Sequence, residues 1–237
     1  MGLSHLHCES ITLHNDDFST LLDTLEAHDI EPVIVEDYGH LDDVNALLIS
    51  PPGDIPNEEN CVFTDVEIQQ FRHYLEHGGR VLILLRGRTR FRPFFDAHGS
   101  NFHALLPPDD QIIPNDDEII DKRHHIKRDY QFIIHIPFHV NNIAFDGDVF
   151  FDGGCSFSMH GNFEHRFIPS NEYRSHRDDG NTLVTDPIFA IKKVGKGLVI
   201  VFGSRWAFSD DRLMDESNEP RFQNLTFLNH LLDLLFT

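Results

Sequence analysis

Apolar residues along the chain fall into two rhythms. Phe18, Leu21, Leu22 and Leu25 follow the i, i+3, i+4, i+7 spacing of one helical face. The preceding Asp16-Asp17 suits an acidic N-cap, so a first helix ending near His28 is predicted. Thr64-Asp-Val-Glu67 has the spacing of a capping box, Ile68, Phe71 and Leu75 form the stripe behind it, and Gly78-Gly79 supplies the stop. Around these helices stand short apolar runs without alternation: Pro32–Val35, Ala46–Ile49 and Val81–Leu85. Strands buried on both faces read this way, because helices cover a parallel sheet on each side. Helix and strand alternate through the first half, the pattern of an α/β fold with a mostly parallel sheet and helices on both faces.

The middle of the chain loses this regularity. Gln131–Phe138 reads as a strand that Pro137 places at an edge or an end, and Phe145–Ser158 is rich in Gly, Asp and Phe. An irregular β-rich insertion over roughly residues 94–180 of a single domain, 1–237, is expected. Regular patterning returns with Pro187–Ile191 and Leu198–Phe202, which flank Gly195-Lys-Gly197 as a hairpin. Asn218-Glu-Pro220 then opens a last helix with Phe222, Leu225, Leu228, Leu232 and Leu235 on one face.

Charge narrows the partners. The formal net charge is −20, which disfavours long-range attraction to nucleic acid or an anionic membrane. No run approaches the length of an apolar span, and the amino terminus lacks the n- and h-regions of a leader. Cys8, Cys61 and Cys155 are odd in number and far apart, which suggests neither a disulfide framework nor a cysteine metal site. A cytoplasmic protein without direct membrane insertion is expected.

Against that acidic background, Arg80, Arg86, Arg88, Arg90 and Arg92 follow one another without an acid between them. In open α/β sheets ligands gather outside the carboxyl ends of the strands. Three loops leave such ends: Ser50–Pro56, Arg86–Pro93 and Gly203–Asp211. The arginine loop suits bidentate capture of an anion or carboxylate, or else pairing with the chain's own acids. Ser204, Arg205, Ser209, Asp210 and Asp211 suit either a polar ligand or the capping of a following short helix. Ser50-Pro-Pro-Gly-Asp54 reads as a rim or a plain turn.

The 17 histidines raise the question of a metal, through His5/His7, His124/His125, His135/His139 and His160/His165. Strand residues four apart share a face but sit about 13 Å from each other, too far to chelate one ion. His160-Gly-Asn-Phe-Glu164 is not HExxH. No metal site and no cofactor are expected.

The stretch GKGLVIVFGSRWAFSDDRLMDESNEPRFQNLTFLNHLL resembles the end of the GIFT domain. This module is shared by the 52 kDa-type subunit of intraflagellar transport and the auxiliary subunit of gliding-motility ABC transporters. The matching positions are Gly203, Ser204, Phe208, Ser209, Asp210 and Asn218. Phe63–Leu82 is similar to the family's helix ending in Gly-Gly and entering a central strand, and Asp186–Ala190 is similar to its penultimate strand. The resemblance covers about half of the chain and implies a flavodoxin-like fold related to class I glutamine amidotransferases. Their Gly-x-Cys-x-Gly turn is missing where Arg86-Gly87-Arg88 stands, and no His-x-Glu follows the later strands. The chain stops at Thr237, before the extension by which the ciliary subunit contacts its partners, so a stand-alone prokaryotic relative is expected.

The resemblance therefore implies no catalytic residues and a binding or scaffolding module of a protein assembly. Arg86, Arg88, Arg90, Arg92, Ser204, Arg205 and Asp210 would face a protein partner or an anionic or carbohydrate ligand. The alternative from another class is a metal-assisted hydrolase using His and Asp from residues 153–165.

Overall fold

The computed structural model describes residues 1–4, 18–50, 63–85, 102–115, 119–120, 131–169, 173–175, 182–213 and 223–237. The first half contains β1 (Gly2–Ser4), α1 (Ser19–Ala27), β2 (Val33–Val35), β3 (Leu47–Ile49), α2 (Asp65–Glu76) and β4 (Arg80–Leu84). The middle adds β5 (Ile112–Pro114), β6 (Ile119–Ile120), β7 (Gln131–Val140), β8 (Ile143–Asp152), β9 (Phe157–Met159), β10 (His165–Phe167), β11 (Arg174–Ser175) and β12 (Thr182–Leu183). The chain closes with β13 (Phe189–Val194), β14 (Gly197–Phe202), α3 (Asp210–Leu213) and α4 (Asn224–Phe236).

A seven-stranded sheet runs in the order β10-β13-β14-β4-β3-β1-β2. Its strands from β2 through β14 are parallel, and β13 and β10 turn antiparallel at one edge. Val81 lies between Leu47 of β3 and Val199 of β14, so the central strands are in tight register. Alternate residues feed opposite layers. Leu82, Leu84, Ile200 and Phe202 join the core on the α1 and α4 side. Val81, Ile83, Val199 and Val201 join the core under α2. This two-sided burial is why these strands read as unbroken apolar runs.

Helix α2 forms as its sequence dictates. The Thr64 N–H donates to Glu67 Oε2 at 2.6 Å, the Glu67 N–H donates to Thr64 Oγ1 at 3.3 Å, and the helix ends at Gly78 with φ of 101°. Helix α1 differs from expectation. Its N-cap position is Phe18, which offers no side-chain cap, and Asp16 and Asp17 lie outside the described residues.

The expected insertion is partly woven into the core. Strands β7 and β8 make a hairpin whose Phe132, Ile134, Ile136, Phe138 and Val140 enter the same apolar cluster as α4. Phe227 of α4 sits among Phe189 and Phe202 with ring centroids at 5.4 and 5.2 Å, and Phe138 lies 5.4 Å from Phe189. The high phenylalanine count thus fills the layer between sheet, hairpin and helix. Pro137 sits inside β7, opposite Asp146, on a strand hydrogen-bonded to a neighbour on one side only, where its missing N–H is tolerated.

Two readings of the ends need correction. Strand β1 passes unnoticed in the sequence because three residues carry no periodicity. The last helix starts at Asn224, not at Asn218-Pro220, and residues 214–222 lie outside the described residues. It also buries more than one stripe: Leu231 and Leu234 are covered as well as Leu228, Leu232 and Leu235, while Leu225 is only half-buried. A helix packed between a sheet and a hairpin buries a wide face and keeps only a narrow outer stripe through Asn229 and Asp233.

Candidate functional site

Strands β4 and β14 leave the sheet side by side at its carboxyl edge. The Leu85 N–H donates to Phe202 O at 2.8 Å, and the Arg205 N–H donates back to Leu85 O at 2.7 Å. Gly203 presses against the segment after β8, where the Cys155 N–H donates to Gly203 O at 2.9 Å. A Cβ on Gly203 would lie 2.2 Å from Cys155 O, so no other residue fits this approach without backbone movement.

The loop after β14 is bonded into the fold through its side chains. Ser204 is fully buried; its Oγ donates to Asp152 O at 2.6 Å and accepts from the Asp152 N–H at 3.2 Å, tying the loop to the end of β8. Arg205 is buried with its guanidinium 4.7 Å over the Trp206 ring, which in turn stacks on Phe18 at 5.6 Å. Ser209 Oγ donates to Trp206 O at 2.8 Å and closes the turn.

Asp210 works across the chain. Its Oδ1 accepts from the Thr20 N–H at 2.7 Å and its Oδ2 accepts from Ser19 Oγ at 2.6 Å, so it supplies the cap that α1 lacks locally. Burial pushes its carboxyl up, but the hydrogen bonds from Ser19 and Thr20 outweigh burial and hold it below the usual range. The helix that Asp210 caps is α1, remote in sequence, and not the short α3 beside it.

Arg86, Arg88, Arg90 and Arg92 lie outside the described residues, as do Pro51–Pro56. The two anchors of the arginine segment are nevertheless fixed. It leaves from Leu85 and returns to a short helical turn, Phe102–Leu105, that Arg72 grips through Ala104 O at 2.7 Å, Leu105 O at 3.4 Å and Leu106 O at 3.0 Å. Arg80, the first arginine of the series, stands at the opposite end of β4 and so at the other edge of the sheet.

Three polar groupings were not anticipated. Asn224, fully buried, accepts from the Phe150 N–H at 2.8 Å and donates to Phe150 O at 3.0 Å and Ala207 O at 2.6 Å, locking α4 to β8 and to the loop after β14. The signal available was the Asn at the head of the apolar run NLTFLNHLL, and it is Asn224, not Asn218, that begins the last helix. Beside the Gly154–Ser156 segment, Asn115 Nδ2 donates to Ser156 Oγ at 2.6 Å and to Asp186 Oδ2 at 2.9 Å. Lys192, 2% exposed, pairs with Asp110 at 2.5 Å and donates to His160 O.

The histidines and acids near residues 153–165 are drawn to separate tasks. Glu164 lies 3.5 Å from Lys193. His165 packs between Phe138 and Phe189, and burial holds its imidazole below the ordinary range against an opposing backbone hydrogen bond at Pro137. On the hairpin, His135 meets Asp148 at 2.9 Å and Asp146 at 2.8 Å. The Asp148 hydrogen bond leads in raising its pKa, burial opposes, and Asp146 adds to the rise. Among the described residues no group of three or more His, Cys, Asp and Glu is placed to share a metal ion. No helix among them is long and apolar enough to cross a membrane, which says nothing of a β-barrel.

No family model matches the chain, and no curated protein matches it by sequence. In fold it is similar to the mmIFT52 N-terminal domain, with a TM-score of 0.75 at 18% identity over 100% of this chain and 97% of that one. It is also similar to a cytoplasmic protein of Salmonella typhimurium, STM3548, with a TM-score of 0.54 at 14% identity over 98% of this chain and 97% of the other. A β-galactosidase from Bacillus circulans sp. alkalophilus aligns over only 30% of its length, at a TM-score of 0.47 that is too low to argue from. At these identities the likeness establishes a mixed α/β fold with a mostly parallel central sheet, and the fold alone.

Proposed function

We propose that the chain is a GIFT-type binding or scaffolding module of a protein assembly, without catalytic chemistry, working in the cytoplasm as one domain with an insertion near residues 94–180. The parallel strand order β2-β1-β3-β4-β14 supports a flavodoxin-like assignment. The likeness to the mmIFT52 N-terminal domain over the whole chain supports the GIFT reading. The motif resemblance in the last helix and its preceding strand points the same way.

The observation that carries the functional reading is the internal engagement of the loop after β14. Ser204, Ser209 and Asp210 are each hydrogen-bonded into the fold, so this loop is a fixed shoulder beside Leu85, from which the arginine segment leaves β4. Ser204, Asp210 and the buried Arg205, predicted as a contact residue, accordingly position the edge, and Arg86, Arg88, Arg90 and Arg92 contact the partner or an anionic group on it. Catalytic relatives hold their cysteine where this arginine turn stands, so no turnover of amides or esters is expected.

The test is the R86A/R88A/R90A variant, compared with the unaltered chain in pull-down from its native cells and in ligand-induced melting shifts. Loss of a stoichiometric partner or of the shift, with the fold intact, is the expected result. Unchanged recovery and unchanged shifts would sink the reading.

A further inference from the structure

The amino edge of the sheet carries a second feature. There the turn of the β7–β8 hairpin, Asn141-Asn142, and the turn of the β13–β14 hairpin, Gly195-Lys196, come together with the end of α4 around a cleft of about 380 Å³. Ile143, Leu198 and Leu234 give it apolar lining, and the charged side chains among its lining residues are all cationic: Arg80, Lys193 and Lys196. The size is that of a side-chain or small-ligand pocket.

These cations stand out because the chain has 39 acidic residues with which to neutralise them. Among the described residues no carboxylate lies within 4.0 Å of Arg80 or Lys196, and Lys193 has only Glu164, at 3.5 Å in an exposed pair. Period-two alternation along β13 sharpens the contrast. Lys192 points into the core and is closed off by Asp110 at 2.5 Å, whereas Lys193, one residue on, points out to the cleft. Lys192 is thus closed off by an acid inside the fold, whereas at the cleft Lys193 meets Glu164 only in an exposed pair, Arg80 and Lys196 have no carboxylate within 4.0 Å among the described residues, and Thr237 with its main-chain carboxylate is among the lining residues.

Arg80 is also held for presentation. The Tyr74 hydroxyl bonds both the Arg80 N–H and the Arg80 carbonyl, each at 3.2 Å, and burial pushes that phenol up to about 12. Its guanidinium Nη1 donates to Leu234 O at 3.0 Å, which fixes the fork and leaves its other donors unbonded among the described residues. A guanidinium fixed in this way is suited to bidentate contact with a carboxylate.

We propose that this cleft docks an acidic segment of a partner protein, with a carboxylate on Arg80, a second near Lys193 and Lys196, and an aliphatic side chain on the Ile143, Leu198 and Leu234 floor. This rests on the binding-module reading above. The Asn141 and Asn142 side-chain amides at the rim suit the backbone of an extended peptide, and the apolar floor distinguishes a peptide from a bare anion.

The experiment is fluorescence anisotropy of the full chain with a labelled, end-capped Glu-Leu-Asp-Leu-Glu peptide, against a Gln-Leu-Asn-Leu-Gln control and inorganic phosphate as competitor. The expected result is saturable, salt-sensitive binding of the acidic peptide that falls about tenfold or more in K193E/K196E, two exposed positions that leave the fold alone, and is unchanged in R86A/R88A/R90A. No saturable binding, equal binding of the amide control, displacement by phosphate at matched concentration, or no loss in K193E/K196E would each overturn the proposal. Because the probe is synthetic, a negative result here leaves the partner test of the arginine segment standing. A positive result beside a loop variant that keeps its partner would fail that reading instead.

Discussion

The two edges of the sheet use polar side chains in opposite ways. At the carboxyl edge Ser204, Asp210 and Asn224 are bonded to Asp152, to Ser19 and Thr20, and to Phe150 and Ala207. At the amino edge Arg80 and Lys196 line a cleft with no acid beside them among the described residues. A polar group whose partners lie within its own fold specifies geometry, and one left open to solvent keeps its donors available to a ligand. At the carboxyl edge the Ser204 hydroxyl and the Asp210 carboxylate are thus bonded within the fold, beside the Leu85 end of β4.

The contrast is broken most severely at Lys192 and Lys193, neighbours on opposite faces of β13. Lys192→Ala leaves Asp110 facing a buried void and is expected to cost about 3 kcal/mol, the low end for a broken buried pair because Asp110 keeps some exposure. Lys193→Ala is expected to cost less than about 0.5 kcal/mol. Urea denaturation of both variants decides it, and equal losses would show that the two lysines are not differently employed.

Asn224→Leu probes the frame directly. It leaves the Phe150 N–H and two buried carbonyls without their partner, for an expected loss of about 2–3 kcal/mol by the same denaturation measurement. A loss near zero would mean that α4 is held by its apolar faces alone.

Asp210→Ala removes a helix cap supplied from far along the chain, and about 1 kcal/mol is expected. The carboxyl's folded pKa is depressed, so its contribution is fully present above its unfolded value near 3.8 and is lost as pH falls through the lower folded value. The variant's deficit should accordingly shrink in acid and stay constant at neutral pH, as thermal melts across that range would record. A deficit that grew in acid would reverse the sign of the account.

How much of this was legible in the sequence follows from the range of each interaction. Helix α2 could be read residue by residue, since Thr64 and Glu67 act within one turn of each other and Gly78 acts within one turn of the helix end. The central strands could be read because burial on both faces suppresses alternation. Strand β1 and the start of α4 could not, the first for want of length and the second because Asn218-Glu-Pro220 imitates an N-terminus that falls at Asn224.

The candidate site was legible only as an address. Composition and strand order point to the loops after β4 and β14. The roles of Ser204, Asp210 and Lys192 depend on Asp152, Ser19 and Asp110, partners remote in sequence that no local pattern announces. The splitting of the arginine series between two edges follows from β4 crossing the sheet between Arg80 and Leu84.

In the proposed function, Arg86, Arg88, Arg90 and Arg92 hold a partner by charge-assisted contacts. The measurement that tests it most directly is the dissociation constant of the co-purified partner for the unaltered chain and for R86A/R88A/R90A, taken at low and high salt. Weakening of about tenfold for each arginine engaged, with a shallower salt dependence and an unchanged melting temperature, is the predicted result. The same affinity and the same salt dependence in both proteins would contradict it.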